Sequence, residues 1–179
     1  MSNEDPPVYT IGHSNRSFED FAALLAAAGV RQIVDVRRFP RSRANPQYDL
    51  ESLGETLPAR QIGYTILPAL GGRRSGVPAV PPEVNAYWRN RSFHNYADHA
   101  LTDAFAAGLD QLLALACERP SAIMCAEAVW WRCHRRIIAD YLLLRGKTVL
   151  HIMEGGRIEP AKINPGAVVN EGRLTYPAL

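Results

Sequence analysis

The chain has 179 residues, 47% of them hydrophobic and 21% charged, with a formal net charge of +2. That length supports one domain that buries roughly 70% of the surface its unfolded chain exposes, and that hydrophobic content excludes a disordered protein. The near-neutral total excludes a histone-like binder built on wholesale phosphate neutralisation, while leaving room for a local basic patch.

Met1 to Pro7 carries two acids and two prolines, where a secretory leader needs a basic stretch followed by an apolar one. The longest apolar run, Leu109 to Cys117, is interrupted by Asp110 and Gln111 and falls far short of the roughly 18 residues of a membrane span. The expectation is a cytoplasmic chain that uses no membrane. Its three cysteines are then reduced and point to thiol chemistry or metal binding before disulfides.

Val8-Tyr9-Thr10-Ile11 reads as a short strand ended by Gly12. Ser17 is placed to N-cap a helix with Phe18, Phe21, Leu24, Leu25 and Ala28 on one face, and Gly29 stops it. Gln32 to Val36 is apolar almost throughout, which fits a strand buried on both faces. From Arg37 to Tyr48 the chain is polar and basic, with Pro40 and Pro46 forbidding regular structure; a short helix follows from Asp49 to about Ala59. Tyr64 to Leu67 is a third strand. Pro68 to Pro82, with four prolines and three glycines, reads as a long loop of the kind that is often functional. A long helix is predicted between Asp98 and Cys117, where Leu101, Phe105, Leu109, Leu112, Leu113 and Ala116 recur at spacings of three and four. Ala122 to Cys125 is a fourth strand, Cys133 to Leu144 a helix ended by Gly146, and Thr148 to Met153 a fifth strand. The tail, about 155–179, has weak periodicity, and no element is placed there.

Strands alternating with helices predict a single α/β domain with a core over about 8–153: a three-layer, mostly parallel, five-stranded Rossmann-like sheet with helices on both faces. With the common order 3-2-1-4-5, strands one and four meet at the topological switch point where open α/β sheets bind ligands. Gly12-His13-Ser14 and Cys125-Ala126-Glu127 would then face each other across a crevice, with Asp35 and Arg37 beside them.

The densest chemistry lies in Met124 to Arg136, which holds two thiols, a carboxylate, an imidazole and three guanidiniums around a strand-to-helix turn. A thiol near a helix N-terminus with cationic neighbours has a lowered pKa and a larger share of nucleophilic thiolate. Against this stands the plain alternative that Cys125 and Cys133 pack as small hydrophobes. Structural zinc usually takes pairs of close ligands, whereas seven residues separate Cys125 from Cys133 and no second pair follows. An anion loop of Cys, five residues and Arg also fails, since six residues lie between Cys125 and Arg132.

His13 follows a strand, where a neutral imidazole can handle protons or meet an anion; Ser14 either donates to a phosphate or caps a turn. Asp35, inside an apolar strand, needs a partner among Arg37, Arg38 or the arginines of the Cys133 helix. Arg37, Arg38, Arg41 and Arg43 form the most basic segment, and Arg73, Arg74, Arg89 and Arg91 lie near Tyr87, Trp88, Phe93 and Tyr96. Arginines interleaved with aromatics suit phosphates and bases. Of Trp130 and Trp131, one is expected to pack and one to be exposed, and Cys117 to pack at a helix end.

Tyr9-Thr10-Ile11-Gly12-His13-Ser14, Val34-Asp35-Val36-Arg37 with Pro40 and Ser42-Arg43, Leu70-Gly71-Gly72, and Cys125-Ala126-Glu127 followed by Cys133-His134-Arg135 resemble the bacterial domain-of-unknown-function family number four hundred and eighty-eight. The likeness runs in order from about Tyr9 to Ile152. It implies a small intracellular α/β protein and leaves the activity to be read from the residues. Similar members often carry Asp-Pro near the positions of Val129-Trp130; here that turn is replaced by apolar residues.

The leading expectation is an enzyme acting on an anionic substrate, with a nucleotide or nucleic-acid-derived molecule in view. In it Cys125 is nucleophile or general acid, Glu127 and His13 handle protons, and Cys133 and His134 complete the catalytic set. Gly12, Ser14, Asp35, Arg37, Arg43 and Arg135 bind substrate, the last three guanidiniums holding negative charge. The rival is a non-catalytic nucleotide or nucleic-acid binding module in which the thiols only pack. A third reading is a metal held by Cys and His; no other cofactor is expected.

Overall fold

The computed structural model describes residues 5–179; the leader reading rests partly on residues 1–4, outside that range. In chain order the elements are β1 (Val8–Gly12), α1 (Phe18–Ala28), β2 (Gln32–Asp35), α2 (Leu50–Thr56), β3 (Gly63–Ile66), α3 (Arg91–His99), α4 (Asp103–Glu118), β4 (Ser121–Cys125), α5 (Arg135–Leu144), β5 (Val149–Ile152), β6 (Ile158–Pro160), β7 (Val168–Asn170) and β8 (Arg173–Thr175). Six strands form one sheet in the order β3-β2-β4-β1-β5-β6. The first five run parallel and β6 pairs antiparallel with β5. Among the described residues no single helix is long and apolar enough to cross a membrane.

The predicted order placed β1 beside β2; instead β4 sits between them, pairing with both. The β1–α1–β2 crossover skips one position, which the chain fills later. The expected β1–β4 adjacency is present, with Gly12 opposite Cys125. All five β4 residues are buried, as a central strand covered on both faces requires.

Alternation along the strands divides the core in two. Ile11, Ile33, Ala122, Met124 and Ile152 pack with Phe21 and Leu25 of α1 and Leu53 of α2. Val8, Val34, Ile123, Cys125 and Val149 pack with Phe105, Leu109 and Leu112 of α4 and Ile137 and Ile138 of α5. Each Val, Leu, Ile, Phe or Met side chain so taken from water contributes about 1.5–3 kcal/mol. Ser17 caps α1 by accepting from Asp20 N, and Gly29 ends it with φ 73°, a left-handed conformation that glycine adopts without steric cost.

The long helix expected somewhere between Asp98 and Cys117 is α4, and the separate helix α3, which was not expected, precedes it. Thr102 starts α4 by accepting from Phe105 N, and Asn90 starts α3 by accepting from Ser92 N. Cys117 is exposed near the end of α4, where packing was expected. The tail is ordered: β7 and β8 form a hairpin, and Leu174 and Tyr176 are fully buried. The Tyr176 hydroxyl donates to Asp140 Oδ2 at 2.9 Å, and its backbone N–H to Asn85 Oδ1 at 2.9 Å.

Candidate functional site

Cys125 ends β4 with its side chain on the α4–α5 side of the sheet. The chain then turns through a short 3-10 segment, Trp130–Arg132, and returns Cys133 to the strand tip ahead of α5. Trp130 stacks on His151 at 4.7 Å and 7°; Trp131 is exposed. The two sulfurs lie 2.9 Å apart, and only 3% and 6% of Cys125 and Cys133 remain exposed.

Arg135 holds this pair in place. Its backbone N–H and Nε each reach Cys133 Sγ at 3.2 Å, Nη1 donates to Thr10 Oγ1 at 3.1 Å, and Nη2 to the Glu127 carbonyl at 2.7 Å. The side chain is 1% exposed, yet among the described residues it forms no ion pair with a carboxylate. A buried guanidinium without a counter-charge is strongly destabilising, and the acidic group in contact with it is Cys133. Burial pushes the Cys133 thiol up, but the hydrogen bond from Cys125, the Arg135 charge and His134 together bring it well below the usual thiol range. Burial and the neighbouring sulfur push Cys125 well above that range. With both Arg135 donors on Cys133 Sγ, the contacts favour Cys125 as the donor and Cys133 as the acceptor of the pair, and the N-terminus of α5 favours negative charge there.

His134 stands next to this sulfur. Its Nε2 lies 2.6 Å from the Val36 carbonyl; a carbonyl only accepts, so Nε2 carries a proton and Nδ1 is the nitrogen left outside that bond. A Cβ at Gly72 would fall 2.7 Å from that Nδ1, so the ring's position requires glycine there.

Cys125, Glu127, Cys133 and His134 line a cavity of about 380 Å³ together with Arg38, Phe39, Arg41, Arg73, Phe93 and Arg132. Among the described residues Glu127 is the one carboxylate in this lining. Arg41 pairs with Glu51 at 2.9 Å, whereas Arg38, Arg73 and Arg132 form no ion pair among the described residues. The lining is therefore cationic, and an anion entering it meets guanidiniums that are not already neutralised.

Of the other predicted residues only Arg37 borders this cavity among the described residues. Asp35 points to the α1–α2 side, where Arg37 grips it through Nε at 3.0 Å and Nη2 at 2.7 Å and Tyr64 donates to it at 2.6 Å. Arg37 also donates to the Tyr48 carbonyl and contacts His13 Nε2; it borders the cavity with its polar groups occupied. His13 stacks on Tyr48 at 4.2 Å and its Nδ1 meets the Ser14 carbonyl at 2.8 Å. Burial, with the Arg37 charge, pushes its pKa down to about 4. Both ring nitrogens of His13, expected to handle protons, are engaged, and the ring stands outside the cavity lining. Gly12 is a close-approach position: a Cβ there would lie 1.6 Å from the Glu127 carbonyl oxygen. Ser14 Oγ makes one long contact with Asn15, and its backbone N–H bonds Ala126 O at 3.0 Å. Arg43 is exposed and outside the cavity lining, and Arg135 is buried beneath the sulfurs. The cavity arginines Arg38, Arg73 and Arg132 belong to segments whose basicity is visible in the sequence, though their convergence is not.

Among the described residues no three of His, Cys, Asp and Glu gather in a way that could hold a metal ion. The family model described as "Domain of unknown function DUF488" matches residues 17–142, a span that contains both cysteines and the cavity arginines but not β1. No curated protein and no solved structure matches the chain.

Proposed function

The chain belongs to the DUF488 family, and on that premise we propose that it is a thiolate enzyme, a hydrolase or transferase, acting on a small anionic substrate. The observation that carries this reading is the buried Arg135, whose Nε and N–H both meet Cys133 Sγ at 3.2 Å on the floor of an arginine-lined cavity. Cys133 takes the nucleophile's role that the sequence suggested for Cys125. Its sulfur lone pair attacks the substrate's electrophilic centre, a bond from Sγ to substrate forms, and the leaving group departs with the bonding electrons. The leaving group takes its proton from solvent; His134 Nδ1 then takes a proton from the acceptor, water or a second molecule, whose attack breaks the Sγ–substrate bond and returns Cys133 as a thiolate, and the ring passes that proton on to solvent. Arg38, Arg73 and Arg132 hold the substrate's negative charge. A reduced thiol pair suits a reducing compartment, in line with a cytoplasmic location.

The test uses a Cys117→Ser background to remove the exposed thiol. Iodoacetate, an anion, should alkylate Cys133 faster than neutral iodoacetamide does, and Arg38→Gln, Arg73→Gln and Arg132→Gln together should abolish that preference. Equal or slower labelling by iodoacetate in the parent contradicts the reading. Phe39, 64% exposed beside Arg38 at the cavity, favours a second reading, a non-catalytic nucleotide or nucleic-acid binding module. That reading requires salt-dependent binding of a mononucleotide or single-stranded oligonucleotide that Phe39→Ala weakens and that alkylation of Cys133 leaves unchanged.

A further inference from the structure

We propose that Cys125 and Cys133 form a reversible dithiol–disulfide couple that exchanges with small disulfides carrying carboxylates. The inference rests on Cys133 being the nucleophile of the arginine-lined cavity. The sulfurs, at 2.9 Å, need to close by about 0.9 Å to reach a bond length. They sit at the end of a rigid strand and at the start of a helix, so a small movement of the turn between them suffices.

The exchange balances in two steps. The Cys133 thiolate attacks one sulfur of the bound disulfide; a Cys133–substrate S–S bond forms, the substrate's own S–S bond breaks, and one half leaves as a thiolate. Cys125 then gives up its proton and attacks Cys133 Sγ; the Cys125–Cys133 bond forms, the mixed disulfide breaks, and the second half leaves carrying that proton. The two protein sulfurs are oxidised by two electrons, and one disulfide is reduced to two thiols.

Arg135 sets the order of these events. While Cys133 is a thiolate, the guanidinium has its counter-charge and Cys125 stays protonated. Once Cys133 is capped, it loses that charge, and the remaining acidic group that Arg135 faces is Cys125. The buried cation then favours the Cys125 thiolate at the moment the second step needs it. In the closed disulfide Arg135 has no counter-charge at all, so the oxidised form is the strained one and is readily reduced, as in couples whose reduced form is stabilised.

The test is oxidised glutathione in excess over the Cys117→Ser protein, with acid quenching and mass mapping. The expected product lacks two hydrogens and links the Cys125 and Cys133 peptides; it should unfold at a lower temperature than the reduced form, the opposite of a structural disulfide. In Cys125→Ser the reaction should stop at a mixed disulfide on Cys133. The neutral 2-hydroxyethyl disulfide should react more slowly than oxidised glutathione. A Cys133 that accumulates the mixed disulfide with Cys125 present overturns the proposal, as does a disulfide that raises the unfolding temperature. Iodoacetate separates the two ideas: rapid alkylation of Cys133 without disulfide formation overturns the couple alone, and a Cys133 inert to both reagents overturns the nucleophile as well.

Discussion

Replacing Cys125 by Ala in the Cys117→Ser background removes the S–H that donates to the Cys133 thiolate across 2.9 Å. A hydrogen bond to a charged group contributes about 1.5–3 kcal/mol; a thiol is a weak donor, so the lower figure applies. At 1.36 kcal/mol per pKa unit, the Cys133 thiol should rise by about one unit, with alkylation slowed about tenfold wherever the thiolate becomes the minor form. Cys125→Ser keeps a hydroxyl donor and should stay close to the parent. The assay is the rate of iodoacetamide labelling against pH, with the modified residue located by mass mapping and folding checked by thermal melts. Identical pH profiles for the Ala and Ser variants would refute the assignment of the shared proton to Cys125.

Three further outcomes follow from other parts of the structure. Gly12→Ala places a Cβ 1.6 Å from the Glu127 carbonyl oxygen and should cost about 3 kcal/mol or more, read as a lowered urea midpoint; an unchanged midpoint means that β1 does not run against the Glu127 turn. His13 is held at about 4 against an ordinary 6.5 by burial, so its contribution is complete above 6.5 and is lost as pH falls through 4. That loss is up to about 3 kcal/mol, and His13→Gln should flatten the urea-stability profile in this window; an unaltered slope counts against the neutral, doubly engaged ring. Tyr176→Phe leaves Asp140 Oδ2 without its 2.9 Å donor and should lower stability by about 1–3 kcal/mol while leaving the Cys133 labelling rate unchanged; a slower rate would mean that the tail supports the site directly.

The elements built on local signals are legible in the chain itself. The Ser17 cap and Gly29 stop bound α1 as expected, and the apolar runs at β1, β2 and β4 lie in the sheet. Strand order is a different matter, because no local pattern records that the β1–α1–β2 crossover skips the place that β4 later fills. Helix α3 is polar enough to pass for loop, and its start depends on Asn90, visible only as a cap. Leu174 and Tyr176 are anchored by bonds to Tyr141, Asn85 and Asp140, contacts with no sequence period.

At the site, the dense stretch from Cys125 to Arg135 does converge, because strand tip and helix start are joined by a short turn. The wider set divides by strand parity: Cys125 shares a face with Ile123, and Asp35 shares the opposite face with Ile33, which draws the Arg37 guanidinium to Asp35 and His13 even though Arg37 borders the cavity. Parity is readable along one strand, but the faces of two strands can be matched only once their register is known. Arg135 had a legible signal in its place two residues after Cys133, where a helix-start guanidinium can turn back on the thiol. Its burial without a carboxylate partner emerges only from the packed structure.

The central claim, a Cys133 thiolate held by Arg135, is tested most directly by the pH dependence of ultraviolet thiolate absorbance in the Cys117→Ser protein, paired with mapping of the first residue alkylated. One thiolate should already be present well below the usual thiol range, with Cys133 labelled first and Cys125 silent until much higher pH. Two cysteines titrating together in the ordinary range, or first labelling at Cys125, would contradict it.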